Sequence, residues 1–461
     1  MMGAPLSEGW RPLLDGDLAA EACRAALDIR TDLLRRTALG SASATPAAPP
    51  GLASSWHPSL EGWAGFALLH AYAGAALADP DAEDLAAESL GHAIDGLDSS
   101  VLAPALYGGF CGAAWAIEHL TGAAPAGGEA GTGEEAGAAE DDPGEEIAAA
   151  LAAHLEKAPW LHEYDLITGL VGMGVFALER MPRHWGIECA ERVVARLAEL
   201  AEPAAGGGVT WLTPHERLPA FEQAAYPDGC FNLGVAHGVA GVIPLLAAIH
   251  AAGVARSTAG PLLEQAVVWL LDQQQPAGAD STFAYKVRAR ALAGGPAPSP
   301  LPGTAWCYGD LGVATSLLAA ARWVDEPAWE REAVRIARAT AVRPPRERVH
   351  FDACICHGAA GNGHLFNRLY QATGDPLFEQ AARHWFERAL ALRRPDRGIA
   401  GFCFWDVGDK DEMVCMDHPG FLNGATGVAL ALLAATSSAA PDWDRLLLVS
   451  IPSRSSSRRQ E

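Results

Sequence analysis

Ala236-His-Gly-Val-Ala-Gly-Val-Ile-Pro-Leu-Leu-Ala-Ala-Ile249 places two glycines three residues apart, Gly238 and Gly241, and runs from them straight into an apolar stretch. The same Gly-x-x-Gly recurs as Gly62/Gly65, Gly109/Gly112, Gly169/Gly172, Gly309/Gly312, Gly358/Gly361 and Gly424/Gly427, seven copies in all. Successive first glycines are 47 to 71 residues apart, which leaves room for two helices and their connections. Glycines spaced by three share one face of a helix start and let another backbone come close. The stretches that follow, such as Phe66-Ala-Leu-Leu-His-Ala-Tyr72 and Val428-Ala-Leu-Ala-Leu-Leu433, are apolar nearly all round and read as buried inner helices.

Amphipathic segments lie between these copies. Leu263, Ala266, Val267, Leu270 and Leu271 form one helical stripe. Asp375-Pro376 opens another helix, with Phe378, Ala381, Ala382, Trp385 and Ala389 on its apolar face. Alternating buried and amphipathic helices around seven glycine corners predict an all-α chain, an α/α toroid of about seven inner and seven outer helices. Closing the ring removes the exposed ends that an open solenoid would leave. The toroid is expected over residues 1–436, with a C-terminal tail at 437–461 of which 443–449 can pack back. Residues 206–231 are poor in helix signals and fit a small β-containing insertion. The segments 41–50, 121–146 and 293–304 read as loops, and the acidic 121–146 is expected to be disordered because it holds no core-forming residues.

The chain has 461 residues, half of them hydrophobic, enough for a large core. A net charge of −23 repels phosphate backbones and excludes general nucleic-acid binding. No run reaches the roughly 18 apolar residues needed to span a bilayer, so no transmembrane segment is expected. The start lacks the pattern of a signal peptide, which makes the expected location cytoplasmic. Nine cysteines, an odd number without an export signal, argue against a disulfide framework.

Aligning the seven copies on their first glycine gives the chemistry. Two positions before it stand Cys307 and Cys356 in consecutive repeats, and one position before it stand Glu61, His237, Tyr308 and His357. Equivalent repeats open these loops at one end of the ring, where Cys307, Cys356, His357 and His237 converge. Two thiolates and an imidazole suit zinc rather than magnesium or calcium. Three protein ligands leave a coordination position open, whereas structural zinc sites usually fill all four. Cys354, out of register with Cys307, is the alternative fourth ligand. His364, His418 and Cys111 read as structural or exposed.

Trp306-Cys-Tyr-Gly309, Cys356-His-Gly358 and Ala236-His-Gly238, in this order over nearly the whole chain, resemble the motifs of the lanthionine synthetase C-like family. The resemblance implies an α/α toroid, zinc held by Cys307, Cys356 and His357, and an acid/base role for His237. It also implies that Asp165, in Tyr164-Asp-Leu-Ile-Thr-Gly169, is needed for activity and that Trp306 and Tyr308 line the site. The implied reaction is Michael-type addition of a peptide cysteine thiol to dehydroalanine or dehydrobutyrine. The implied partners are a dehydrated precursor peptide with a leader, a separate dehydratase and an exporter. One departure stands out: where many members carry an arginine before the first zinc cysteine, this chain has Ser-Pro-Leu-Pro-Gly-Thr at 299–304. Related alternatives are addition of glutathione to dehydrated residues and a non-catalytic scaffold. A protein prenyltransferase, also a zinc toroid, is disfavoured because no Lys/Arg cluster lies near the motifs to hold a diphosphate.

Overall fold

A computed structural model describes residues 9–37, 57–122, 143–204, 206–276, 278–290, 304–343, 352–407 and 413–454. The helices alternate around a ring. Outer α1 (Gly16–Thr37) precedes inner α2 (Trp63–Leu77), outer α3 (Ala82–Ser99), inner α4 (Phe110–Thr121), outer α5 (Pro143–Leu155), inner α6 (Leu170–Arg180) and outer α7 (His184–Leu200). Strands β1 (Ala201–Pro203) and β2 (Val209–Thr213), a four-residue α8 (Ala220–Gln223) and β3 (Cys230–Asn232) follow. Inner α9 (Val239–Ala251), outer α10 (Arg256–Asp272) and strand β4 (Lys286–Arg288) lead to inner α11 (Asp310–Trp323) and outer α12 (Pro327–Ala341). The last turn of the ring is inner α13 (Ala359–Thr373), outer α14 (Pro376–Ala391), the hairpin β5 (Phe404–Val407) and β6 (Met413–Met416), and inner α15 (Ala425–Thr436). Seven inner and seven outer helices are therefore present. No described helix is long and apolar enough to cross a membrane.

Each inner helix begins immediately after the first glycine of a motif: Gly62, Gly109, Gly169, Gly238, Gly309, Gly358 and Gly424 are the seven N-caps. The second glycine is required by the corner's own backbone. A Cβ at Gly361 would overlap the Ile355 carbonyl oxygen, and one at Gly312 that of Trp306. The loop thus folds down against the first turn of its helix, and only a residue without a side chain leaves room. Outer helices start by ordinary capping. Glu326 and Asp375 accept the Ala328 and Leu377 amides, each before a proline that suits the first helical turn. The stripe predicted on α14, Phe378 to Ala389, is buried.

Adjacent corners are joined by backbone hydrogen bonds. The Leu106 amide donates to Ile167 O at 3.1 Å, Leu166 to Ala236 O at 3.2 Å and Ala236 to Cys307 O at 3.4 Å. Cys307 donates to Cys356 O at 3.1 Å, Cys356 to Leu422 O at 3.0 Å and Phe421 to Leu60 O at 3.2 Å. The last of these links the seventh repeat to the first, as does the packing of α15 against both α1 and α2. The ring is closed.

Residues 439–449, expected to begin a tail, are built into the core. Arg445 pairs with Glu179 of α6, and Tyr107 and Trp306 donate to the carbonyls of Leu446 and Leu447 at 2.8 and 2.9 Å. Trp443 stacks on His364 and meets Phe421 edge-on, and Asp444 joins His364 and Arg368 of α13. One short segment that touches repeats two, three, five, six and seven must lie on the ring's axis. It plugs the toroid.

Other expectations shift in detail. The acidic loop expected over 121–146 gives up its ends, since Thr121 closes α4 and 143–146 form the first turn of α5; residues 123–142 lie outside the described residues. The segments expected as loops at 41–50 and 293–303 also lie outside them. The β-containing insertion is a four-stranded antiparallel sheet in the order β1-β2-β3-β4. The cysteine argument needs one correction: Cys403 and Cys415 are disulfide-bonded across the β5–β6 hairpin, while Cys23, Cys111, Cys189, Cys230, Cys307, Cys354 and Cys356 are free. A count of cysteines does not register a hairpin that brings together two residues 12 apart.

Asp444 is fully buried against a guanidinium that is 9% exposed. Asp444→Ala strands that charge and should cost about 3–5 kcal/mol of stability. Asp15→Ala, which removes a partner of Arg383 that is 81% exposed, should leave the thermal midpoint unchanged. Paired thermal melts check this, and equal midpoints for the two variants would contradict the plug.

Candidate metal centre

The corner bonds fix the relative positions of residues far apart in sequence. Because the Cys307 amide is tied to the Cys356 carbonyl, the two thiols occupy equivalent places in repeats five and six. The donor atoms of Cys307, Cys356 and His357 all lie within 4.8 Å of one another and are partly buried. Donors around a tetrahedral zinc stand roughly 3.3–3.8 Å apart, given its bond lengths of about 2.0–2.3 Å. The trio is therefore close enough to share one ion, and two sulfurs with an imidazole suit zinc by softness.

The site's electrostatics also call for a cation. A hydrogen bond from the Cys356 thiol, with help from His357 and against the effect of burial, pulls Cys307 down to about 5. Burial alone would lower His357, but the sulfurs of Cys354 and Cys307 and the Asp352 carboxylate outweigh it and push the imidazole up to about 12. Asp352, Cys354 and His357 form a second close group that shares the histidine. Asp352 is buried, stands 3.8 Å from His357 Nε2, and accepts the Cys354 amide at 3.1 Å. Burial pushes the Cys354 thiol up to about 11.

Repeats three and four supply the neighbouring groups. His237 Nδ1 is 2.5 Å from Asp165 Oδ2. The other carboxylate oxygen of Asp165 accepts the Thr168 amide at 2.8 Å and its hydroxyl at 3.2 Å. Asp165 is thus buried and held on both oxygens, while the His237 side chain is 41% exposed. The Tyr308 ring stacks on His237 with centroids 6.0 Å apart, and Asn232 donates to its hydroxyl at 3.1 Å. Trp306 is different. It is 1% exposed, lies edge-on to Tyr107, and its indole N–H is taken by Leu447. Its contacts are those of a packing residue that anchors the axial plug.

Several groups escaped the sequence reading. Asn232 acts only through the folded chain, since nothing in its local pattern marks it, whereas Thr168 stands in the register of His237 and only its contact with Asp165 needed the fold. Asp352 lies five residues before His357 and was visible only as a nearby carboxylate. Glu61 and His418 also approach this end of the ring, 3.9 Å apart. The stretch at 299–303, where an arginine was missed, lies outside the described residues.

Comparison with known proteins agrees with this architecture. The nisin biosynthesis protein NisC of Lactococcus lactis subsp. lactis is 24% identical over 277 residues, 59% of this chain and 60% of that protein. The matched stretch thus spans less than two thirds of that relative's length. The solved structure of a nisin cyclase superposes with a TM-score of 0.65 at 18% identity, covering 92% of this chain and 97% of that one. A family profile described as lanthionine synthetase C-like protein matches residues 58–448, from the first corner to the axial plug. The chain belongs to the lanthionine synthetase C-like family.

Proposed function

We propose that this protein is a zinc-dependent lanthipeptide cyclase that adds peptide cysteine thiols to dehydroalanine or dehydrobutyrine, forming lanthionine and methyllanthionine rings. The observation that carries the proposal is the convergence of Cys307, Cys356 and His357 next to the Asp165–His237 pair. The names of the relatives, one a nisin cyclase, support the same substrate class.

Cys307, Cys356 and His357 are the residues that would hold zinc. When bound, zinc supplies a positive centre that favours the thiolate of an incoming cysteine, whose free thiol, with a pKa near ~8.5, is mostly protonated at neutral pH. The chain's own residues do the rest. Addition at the β-carbon leaves an enolate, and the α-carbon then needs a proton. His237 can deliver it from Nε2, because Asp165 occupies Nδ1 and thereby fixes the ring's orientation. The carboxylate also stabilises the imidazolium before transfer. Thr168 keeps Asp165 from turning away, and Tyr308 packs one face of the imidazole.

The proposed substrate is a leader-bearing precursor peptide dehydrated by a separate enzyme in the cytoplasm and passed afterwards to an exporter. Membership of the family supports that setting.

Two outcomes follow. Elemental analysis should find about one zinc per chain, lost in Cys307→Ala and Cys356→Ala and retained in Cys354→Ala. Loss of zinc in Cys354→Ala would make the site four-coordinate and structural. His237→Asn should keep its zinc yet slow ring closure on a dehydrated peptide by about 10²–10⁴-fold. Mass spectrometry of thiol-alkylated products reports the rate, and a wild-type rate in that variant would remove His237 from the mechanism.

A further inference from the structure

The hairpin β5–β6 rises beside the metal corner and belongs neither to the ring of helices nor to the four-stranded sheet. Its register sets Phe404 opposite Met416, Trp405 opposite Cys415 and Asp406 opposite Val414. Side chains alternate along a strand and directly opposed residues share a face, so Phe404, Met416, Asp406 and Val414 line one side of the ribbon. Cys403 and Cys415 fall on the other side, where their disulfide joins the strands. The Phe404 ring stands 6.4 Å from the ring of His357, centroid to centroid, and 5.4 Å edge-on from that of His418. The first face of the hairpin is therefore continuous with a residue that would hold zinc, and His357 is itself partly exposed there.

The face is apolar where a ribbon with no other duty would be polar. Among the described residues ten large apolar side chains are exposed, and three of them, Met413, Val414 and Met416, fall within four residues of β6. The other seven come from seven separate segments. Apolar side chains exposed singly are ordinary, whereas a cluster marks a place of contact. Val414 and Met416 are 38% and 45% exposed, on the side that begins with Phe404. A two-stranded ribbon is marginal by itself, and here a covalent bond on its back holds it in place. Methionine, unbranched and polarizable, adapts to partners of different shape.

We infer that this face is a subsite for the substrate peptide, holding an apolar side chain that flanks the reacting cysteine against Phe404, Val414 and Met416; the inference rests on the cyclase reading above. A peptide sulfur that enters the open position beside Cys307, Cys356 and His357 carries its neighbours past His357, where Phe404 begins the face. The Phe404–Met416 and Asp406–Val414 pairs are two residues apart, about 7 Å along the strand. That length matches two residues of an extended peptide, so the face takes one or two side chains. Its contacts are apolar, and the feature recognised is apolar character rather than one residue type. Asp406, exposed at the far end of the face, and the chain's net charge of −23 disfavour an acidic residue there.

The test uses the zinc-loaded full chain and two peptides, each with one dehydroalanine and one cysteine, in which leucine or serine stands on both sides of the cysteine. Wild type should close the ring of the leucine peptide with a kcat/KM about tenfold higher, the difference lying in KM. The double variant Val414→Thr/Met416→Thr should bring the two peptides within about threefold of each other, with kcat and zinc content unchanged. Threonine suits a strand and both positions are exposed, so the fold should be kept, which a thermal melt checks. Val268→Thr, at an exposed apolar position on α10, should keep the full preference. Binding is read separately with the same peptides carrying alanine in place of dehydroalanine, which can form no ring. Wild type should bind the leucine form about tenfold more tightly, and the double variant should bind both forms alike. Absence of the preference from wild type in both measurements, or its persistence in the double variant, overturns the subsite. A wild-type protein that binds with the preference but closes no ring overturns the cyclase reading and leaves the subsite standing.

Discussion

The backbone hydrogen bonds between neighbouring corners, of which Cys307 N–H to the Cys356 carbonyl is the central one, are the constraint on which the rest depends. An inner helix of this toroid is apolar on nearly every side and carries little information about rotation or height. The corner bonds supply that information. They link neighbouring loops from the second corner round to the first at the same level, so that a residue's offset from its glycine determines where it stands on the ring's end. Two cysteines 49 residues apart become neighbours because both stand two places before a first glycine.

The glycines are what make those bonds possible. Each corner lies against the first turn of its own helix so closely that a methyl group at the second glycine would meet backbone oxygen. Pressed flat in this way, the loop offers its amides and carbonyls sideways to the adjacent corners. The centre is then filled by the 439–449 segment, whose tryptophan, buried aspartate and main-chain carbonyls engage five of the seven repeats. One end of the ring is thereby held rigid, which suits a site that must position sulfur and imidazole groups to fractions of an ångström.

The fold was legible in the sequence because its signal is steric and repeated: seven glycine pairs, each followed by an apolar helix. The approach of Cys307 to Cys356 was legible for the same reason, since both stand in the same register of consecutive repeats. The axial plug was half visible, as an apolar stretch at 443–449 without a stated destination. The Cys403–Cys415 bond was hidden because residue counts are blind to hairpins. Trp306 shows the opposite failure. Its motif pointed to the site, yet its side chain is committed to Leu447 and the core.

The claim that everything else presupposes concerns the number of sulfur atoms around the metal. X-ray absorption at the zinc edge of the resting protein should show two sulfur neighbours and lighter atoms completing the shell, rising to three sulfurs when a cysteine-containing peptide is added. Three or four sulfurs before any peptide is present, or a count that stays fixed afterwards, would contradict an open site formed by Cys307, Cys356 and His357.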